Sequence, residues 1–152
     1  MREGNMTKAT FKSKKEFKEV MDKLFTIMST DPKVGPKLAV ARVPQRWEFT
    51  DMGLVLNATF ADEKAARKGH FLKWVWGDEE CDWESEVEMK MKSDVANKYF
   101  QGKENVPVAV ATGRIKTRGN FAKALKLIPI TKPIYEKYRR MLEEEGYEHL
   151  LL

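Results

Sequence analysis

The stretch Glu86–Lys92 alternates strictly: Val87, Met89 and Met91 are apolar, while Glu86, Glu88, Lys90 and Lys92 are charged. A period of two sends the two sets to opposite faces of a β-strand. One face must therefore be covered and the other must stand in water, which calls for a sheet with a cover on one side. Two further segments share the pattern. Leu54, Leu56, Ala58 and Phe60 alternate with Val55, Asn57 and Thr59, and Leu72, Trp74 and Trp76 alternate with Phe71, Lys73 and Val75. Leu38–Phe49 is less regular because Pro44 interrupts it. Proline has no ladder N–H, so this strand is expected either at an edge or only after the proline. Turn-forming residues at 51–53, 62–69 and 77–83 suggest that the strands follow one another as an antiparallel meander.

The cover comes from helices. Residues 1–12 show no period and read as a loose start. Ser13-Lys14-Lys15-Glu16 is a capping box. Phe17, Val20, Met21, Leu24, Phe25 and Met28 then recur at helical spacing, giving a helix over 14–29 that Asp31-Pro32 stops. Gly35-Pro36 marks a second break. Downstream, Ser93-Asp94 caps a short helix that carries Val95, Tyr99 and Phe100 and ends near Gly102. Ala109–Arg118 reads as a fifth strand, with Ala111, Gly113 and Ile115 inward and Arg114, Lys116 and Arg118 outward. Gly119-Asn120 opens a helix with Phe121, Ala124, Leu125 and Ile128, stopped by Pro129. Thr131 and Pro133 begin a last helix, about 131–145, through Ile134, Tyr138, Met141 and Leu142, and Gly146 ends it. The 152 residues contain no repeat, and the expected architecture is a single α/β (α+β) domain.

Several functional classes find no support. Cys81 is the sole cysteine, and His70 and His149 are far apart, so neither a disulfide framework nor a metal or haem site is expected. No serine or cysteine occupies a nucleophile motif, and no glycine loop for phosphate or dinucleotide is present. The acids Asp78, Glu79, Glu80, Asp82, Glu84 and Glu86 fall in what reads as a solvated loop. The expectation is a protein without catalytic residues or cofactor. No signal peptide or membrane-length apolar run is apparent, and the terminal Leu-Leu-Leu is not a peroxisomal address, so a soluble, intracellular, cytoplasmic chain is expected. The net charge of +5 is unevenly distributed: Arg114–Arg140 contains nine Lys or Arg and one acid, Glu136. Nucleic-acid binding is disfavoured because Trp47, Trp74, Trp76 and Trp83 lie mostly on different segments from these cations.

The segment Ser93–Pro129 resembles the sterol carrier protein 2 family, the nonspecific lipid-transfer proteins. The resemblance rests on Ser93, Gly102, Ala109–Ala111, Gly113, Ile115, Gly119-Asn120, Ala124-Leu125 and Leu127. These residues follow that family's order of short helix, glycine, strand, turn and apolar helix. There are departures. Val106-Pro107-Val108-Ala109-Val110 is β-branched where the family forms a helical turn, Asn120 replaces the usual acid, and the tail after Pro129 is longer. The resemblance implies an open, mainly antiparallel five-stranded sheet with helices on one face. Between them it implies an apolar tunnel for a fatty acid, acyl-CoA, phospholipid or sterol-like ligand, with no chemistry at the site.

On that implication the ligand contacts would be Phe71, Trp74, Trp76, Met89, Met91, Phe100, Phe121, Leu125, Ile128, Ile134 and Met141. Methionines suit a site that accepts varied shapes. Arg114, Lys116, Arg118, Lys123 and Lys126 would meet an anionic headgroup or membrane surface. The last helix, behind its proline-marked hinge, would gate release. The competing reading gives the same residues to an ordinary filled core, in an interaction module without ligand.

Overall fold

The computed structural model describes residues 9–152. The first eight residues of the expected loose start lie outside the described residues. Within the rest of that start, Ala9 and Phe11 are buried, and the Phe11 ring meets Phe17 edge-on at 4.8 Å.

Helix α1 (Lys14–Thr30) buries the six apolar positions that its period marks. Ser13 caps it, its hydroxyl accepting from the Glu16 amide at 3.1 Å. The return arm of the box is shifted, because Glu16 accepts from the Lys12 amide instead. Asp31 ends α1 and starts α2 (Val34–Ala41), its carboxylate accepting from the amides of Lys33 and Val34 at 2.9 and 2.8 Å. Residues 38–41 are therefore helical rather than the opening of a strand. β1 (Gln45–Phe49) begins directly after Pro44.

β1 lies at the centre of the sheet, not at its edge. With β2 (Leu54–Phe60), β3 (Leu72–Trp76), β4 (Val87–Met91) and β5 (Lys116–Gly119), the order is β3-β2-β1-β4-β5. β1, β2 and β3 form the expected antiparallel meander, but β4 runs parallel to β1, in register Gln45↔Val87 through Phe49↔Met91. β5 then pairs antiparallel with β4. The departure arises from residues 77–86, which strap the outer face of the sheet instead of closing a hairpin. Arg46 donates through Nε and Nη2 to the two carboxylate oxygens of Asp78, at 3.0 and 2.8 Å. Asn57 Nδ2 donates to the Gly77 carbonyl and to Asp78 Oδ1. The charge-assisted bonds from Arg46, with help from Asn57, hold the Asp78 carboxyl down at about 2. The acidic run is thus partly anchored. Beyond Asp78, Glu86 pairs with Lys123 at 2.9 Å, and Lys73 lies 5.1 Å from the centre of the Trp83 ring.

A short helix α3 (Glu63–Arg67) lies between β2 and β3, and α4 (Ser93–Phe100) follows β4 as expected, except that Ser93 does not cap it: its amide and hydroxyl donate to the Asp51 carboxylate at 2.8 and 2.6 Å. The expected strand over 109–118 is mostly absent. Val106–Ala111 forms α5, because Asn105 Oδ1 caps the Val108 amide at 3.1 Å and Pro107 falls in the first turn, where its missing N–H costs nothing. Local capping here outweighs β-branched propensity. Gly113, expected inward, is exposed with φ +81°, the left-handed conformation that closes a helix, and Ala111 is exposed too. Of the expected inward trio only Ile115 is buried. Arg114 precedes the strand. Lys116 and Arg118 stand opposite Lys90 and Glu88 on its outer side, so Thr117, opposite Met89, faces inward. Gly119 is required sterically: a Cβ there would lie 2.4 Å from the Glu86 carbonyl oxygen.

The two expected C-terminal helices are one, α6 (Phe121–Glu144), with Pro129 and Pro133 inside it. Each proline removes an N–H that would bond to the carbonyl four residues earlier. Leu125, Pro129 and Pro133 are all exposed, so the freed carbonyls of Leu125 and Pro129 face water. Residues 131–145 are therefore not a separate helix but the continuation of α6. That half of α6 is also anchored: Ile134, Tyr138 and Leu142 are fully buried, and Lys137 pairs with the buried carboxylate of Asp31.

Helices α1 and α6 cover one face of the sheet, where Trp47, Phe49, Leu56, Val87 and Met91 are buried. The tail closes over α4. Asn97 Nδ2 and Gln101 Nε2 both donate to the Leu150 carbonyl, and the Tyr138 hydroxyl donates to Asn97 Oδ1 at 2.7 Å.

Candidate functional site

The inner face of the sheet and the first half of α6 do not meet completely. Between them lies a cavity whose floor includes Trp47 of β1, Ala58 and Phe60 of β2, Leu72 of β3, and Met89 and Met91 of β4. Phe25 and Met28 of α1 and Leu38 of α2 close one side. Tyr99, Phe100, Val106 and Ile115 close another, and Phe121, Ala124, Leu125, Leu127 and Ile128 of α6 form the roof. The volume is about 50 Å³. That is room for a few waters at roughly 10–15 Å³ each, and well below the roughly 300 Å³ at which ligand pockets begin. In this conformation the space is a narrow slot.

Its lining is mostly apolar, with Gln45, Thr59, Tyr99 and Thr131 as the polar members besides Trp47. No Asp, Glu, Lys, Arg or His lines it. The Thr131 hydroxyl in the lining is already bonded to the Leu127 carbonyl at 2.8 Å. Burial, with the neighbouring Tyr135 adding to it, pushes the Tyr99 phenol far above the usual range, so it stays neutral. Trp47 Nε1, in the same lining, is buried without a hydrogen-bond partner. Leu125, 36% exposed, is the sole lining residue in the exposed class, so access lies beside the first turns of α6. Nearby, Arg42, in a left-handed conformation at φ 53°, places its guanidinium 4.1 Å from the centre of the Phe60 ring. The lining is thus predominantly apolar and carries no charged side chain.

Of the contacts implied by the sequence, Met89, Met91, Phe100, Phe121, Leu125 and Ile128 come together around this cavity. Five do not. Trp74 and Trp76 are anchors for α1, both indole N–H groups donating to Asp22 Oδ1 at 3.0 and 2.8 Å. Phe71 packs against α2 so closely that a Cβ on Gly35 would lie 2.7 Å from its ring. Ile134 and Met141 belong to the core beneath the second half of α6. Sequence reasoning missed Phe25, Met28, Leu38, Trp47, Ala58, Tyr99 and Leu127. Strand alternation identifies Trp47 and Ala58 as inward, but not their distance from α6.

The basic residues do not form one patch. Arg114 is paired with Glu104 at 2.8 Å and Lys123 with Glu86. Lys116 and Arg118 line a groove on the outer face of the sheet with Arg46, Glu48 and Glu88. Lys126, on the roof helix next to Leu125, is exposed. Among the described residues no cluster of three or more His, Cys, Asp or Glu could hold a metal ion, and no helix is long and apolar enough to cross a membrane.

No family model and no curated protein matches the sequence. Solved structures do match. Sterol carrier protein 2 from Yarrowia lipolytica, in its apo form, is 14% identical with a TM-score of 0.54, over 84% of this chain and 97% of that one. The sterol carrier protein domain 2 of Helicoverpa armigera is 20% identical with a TM-score of 0.54, over 78% and 87%. The inverting sec-alkylsulfatase Pisa1 from Pseudomonas sp. is 17% identical with a TM-score of 0.54, over 69% of this chain but only 15% of the enzyme. The resemblance seen in the sequence therefore holds at the level of fold.

Proposed function

We propose that this sterol-carrier fold binds the apolar chain of a lipid between the sheet and the first half of α6, without chemistry of its own. The observation that carries the reading is the lining: a cavity with no charged side chain, opening at an exposed leucine. Each methylene taken from water contributes about 0.8 kcal/mol, so affinity needs chain length more than specific contacts, and selectivity would be loose.

A slot of about 50 Å³ must widen to admit such a chain. The roof is the part able to move. Phe121 and Ile128 are half-buried and Leu125 is exposed, whereas Ile134, Tyr138 and Leu142 are fully buried. The two ladder bonds missing at Pro129 and Pro133 separate these halves. Opening would bend α6 there, with the C-terminal half fixed. An anionic headgroup left at the mouth would meet Arg42, 4.1 Å from the centre of the Phe60 ring, and Lys126, which follows Leu125 in the chain. Lys116 and Arg118, on the outer face, would be free for an anionic membrane surface.

The smallness of the cavity favours a second reading, an interaction module whose core is simply filled. Native mass spectrometry of the purified protein, with tryptophan quenching by added fatty acid, separates the two. Co-purified lipid, or saturable quenching, supports carriage. A clean protein mass with no quenching overturns it.

A further inference from the structure

We infer that the ligand carries a neutral oxygen acceptor, the carbonyl of a ketone or ester, held inside the cavity against the indole N–H of Trp47. The inference rests on the lipid-binding reading above and narrows its ligand class from any greasy chain to a chain oxygenated along its length.

Trp47 lies on the central strand, paired with Leu56 on one side and Met89 on the other. It is 4% exposed and lines the cavity. Three tryptophans project from the inner face of this sheet. Two of them, Trp74 and Trp76, share one carboxylate oxygen of Asp22, so both donors are satisfied. The third is not: Nε1 of Trp47 is buried and has no partner. None of its ring neighbours accepts a hydrogen bond from it. Phe49 stacks at 6.4 Å, while Tyr99 and Phe100 lie tilted at 5.9 and 5.5 Å. A buried N–H without an acceptor has lost its hydration for nothing in return, and native cores rarely retain one unless something else supplies the bond.

The surroundings select the kind of acceptor. A carboxylate or phosphate brought to Trp47 would enter a lining with no cation, and burying an unpaired charge is far costlier than burying a dipole. A carbonyl oxygen needs a single donor to be satisfied, and a single donor is what Trp47 offers. Charged groups stay at the mouth, and an uncharged carbonyl reaches the interior.

The test compares a symmetrical long-chain ketone with the alkane of equal carbon number, each titrated into the full chain labelled with ¹⁵N at its tryptophan indoles. The sequence has four tryptophans, so the Trp47 indole signal can be assigned through its contacts to the Phe100 ring. One net hydrogen bond predicts that the ketone binds about three- to tenfold more tightly. The Trp47 indole proton should move downfield with the ketone and not with the alkane. In Trp47→Phe the ratio of ketone to alkane affinity should fall to about one, whatever the substitution does to the two affinities themselves. Because the readout is a ratio within each protein, altered stability of the variant does not mimic it. If that variant fails to fold, the wild-type indole signal decides. Equal affinities with an unmoved Trp47 signal overturn the inference and leave the apolar site standing. Failure of both ligands to bind sinks the lipid-binding reading, and this inference with it.

Discussion

Replacing Ala124 with leucine tests whether the slot beneath α6 is usable space. Ala124 is 6% exposed and forms part of the cavity roof. At roughly 24 cal/mol per Å³, a void of about 50 Å³ costs the fold about 1.2 kcal/mol. A leucine side chain directed into it recovers some of that cost and buries three more carbons at about 0.8 kcal/mol each. Against this stands strain, typically about 1–3 kcal/mol when a packed core is overfilled. If the space is open as described, the opposing effects nearly cancel. The variant should then unfold within about 1 kcal/mol of the parent in urea, at an unchanged slope. Its affinity for a long-chain ligand should fall at least tenfold, since the room has been taken. A loss of about 2 kcal/mol or more with unchanged ligand affinity would refute the reasoning, because it would mean that the site lies elsewhere and that this region is already full.

Three further expectations follow from the same geometry. Amide hydrogen exchange should be faster over residues 121–128 than over 134–142, and added ligand should slow the first set. Equal protection of the two halves would remove the bending roof. Asn97→Ala should cost about 3 kcal/mol in chemical denaturation. It strands the buried Tyr138 hydroxyl and weakens the hold on Leu150, and each unsatisfied buried group costs about 1–3 kcal/mol. For Asp78 the folded pKa, about 2, lies below the ordinary 3.8. Its contribution is therefore complete above about pH 4 and is lost as pH falls toward 2. Because the side chain is 58% exposed the effect is modest. Acid titration followed by circular dichroism should show Asp78→Asn less stable than the parent at neutral pH, with the difference disappearing across that window.

Local pattern determined much of this molecule. The alternation of Val87, Met89 and Met91 placed them inward, and the spacing of Phe17 through Met28 placed a helix over them, because those periods are properties of the backbone itself. The glycine at 119 and the caps at Ser13 and Asn120 were equally legible, since each answers a need within a few residues. The resemblance over Ser93–Pro129 pointed to the fold, and six of the eleven implied contacts surround one cavity. Other features were less legible. Val106–Ala111 has the composition of a strand, yet an Asn105 cap and a proline in the first turn made it helical. Pro129 reads as a stop, but it lies on the watery side of α6, where a missing hydrogen bond is tolerated. β4 pairs with β1 in parallel, across a connection whose Asp78 binds Arg46, thirty-two residues earlier. The tryptophans show the division most plainly. Of Trp47, Trp74 and Trp76, the sequence reading sets the last two on one strand face and leaves Trp47 in the less regular Leu38–Phe49 stretch. Only packing decided that two of them would bind Asp22 and that the third would face the cavity with its N–H unpaired, because a hydrogen bond across the core depends on how helix and sheet are set against each other and not on the period of either.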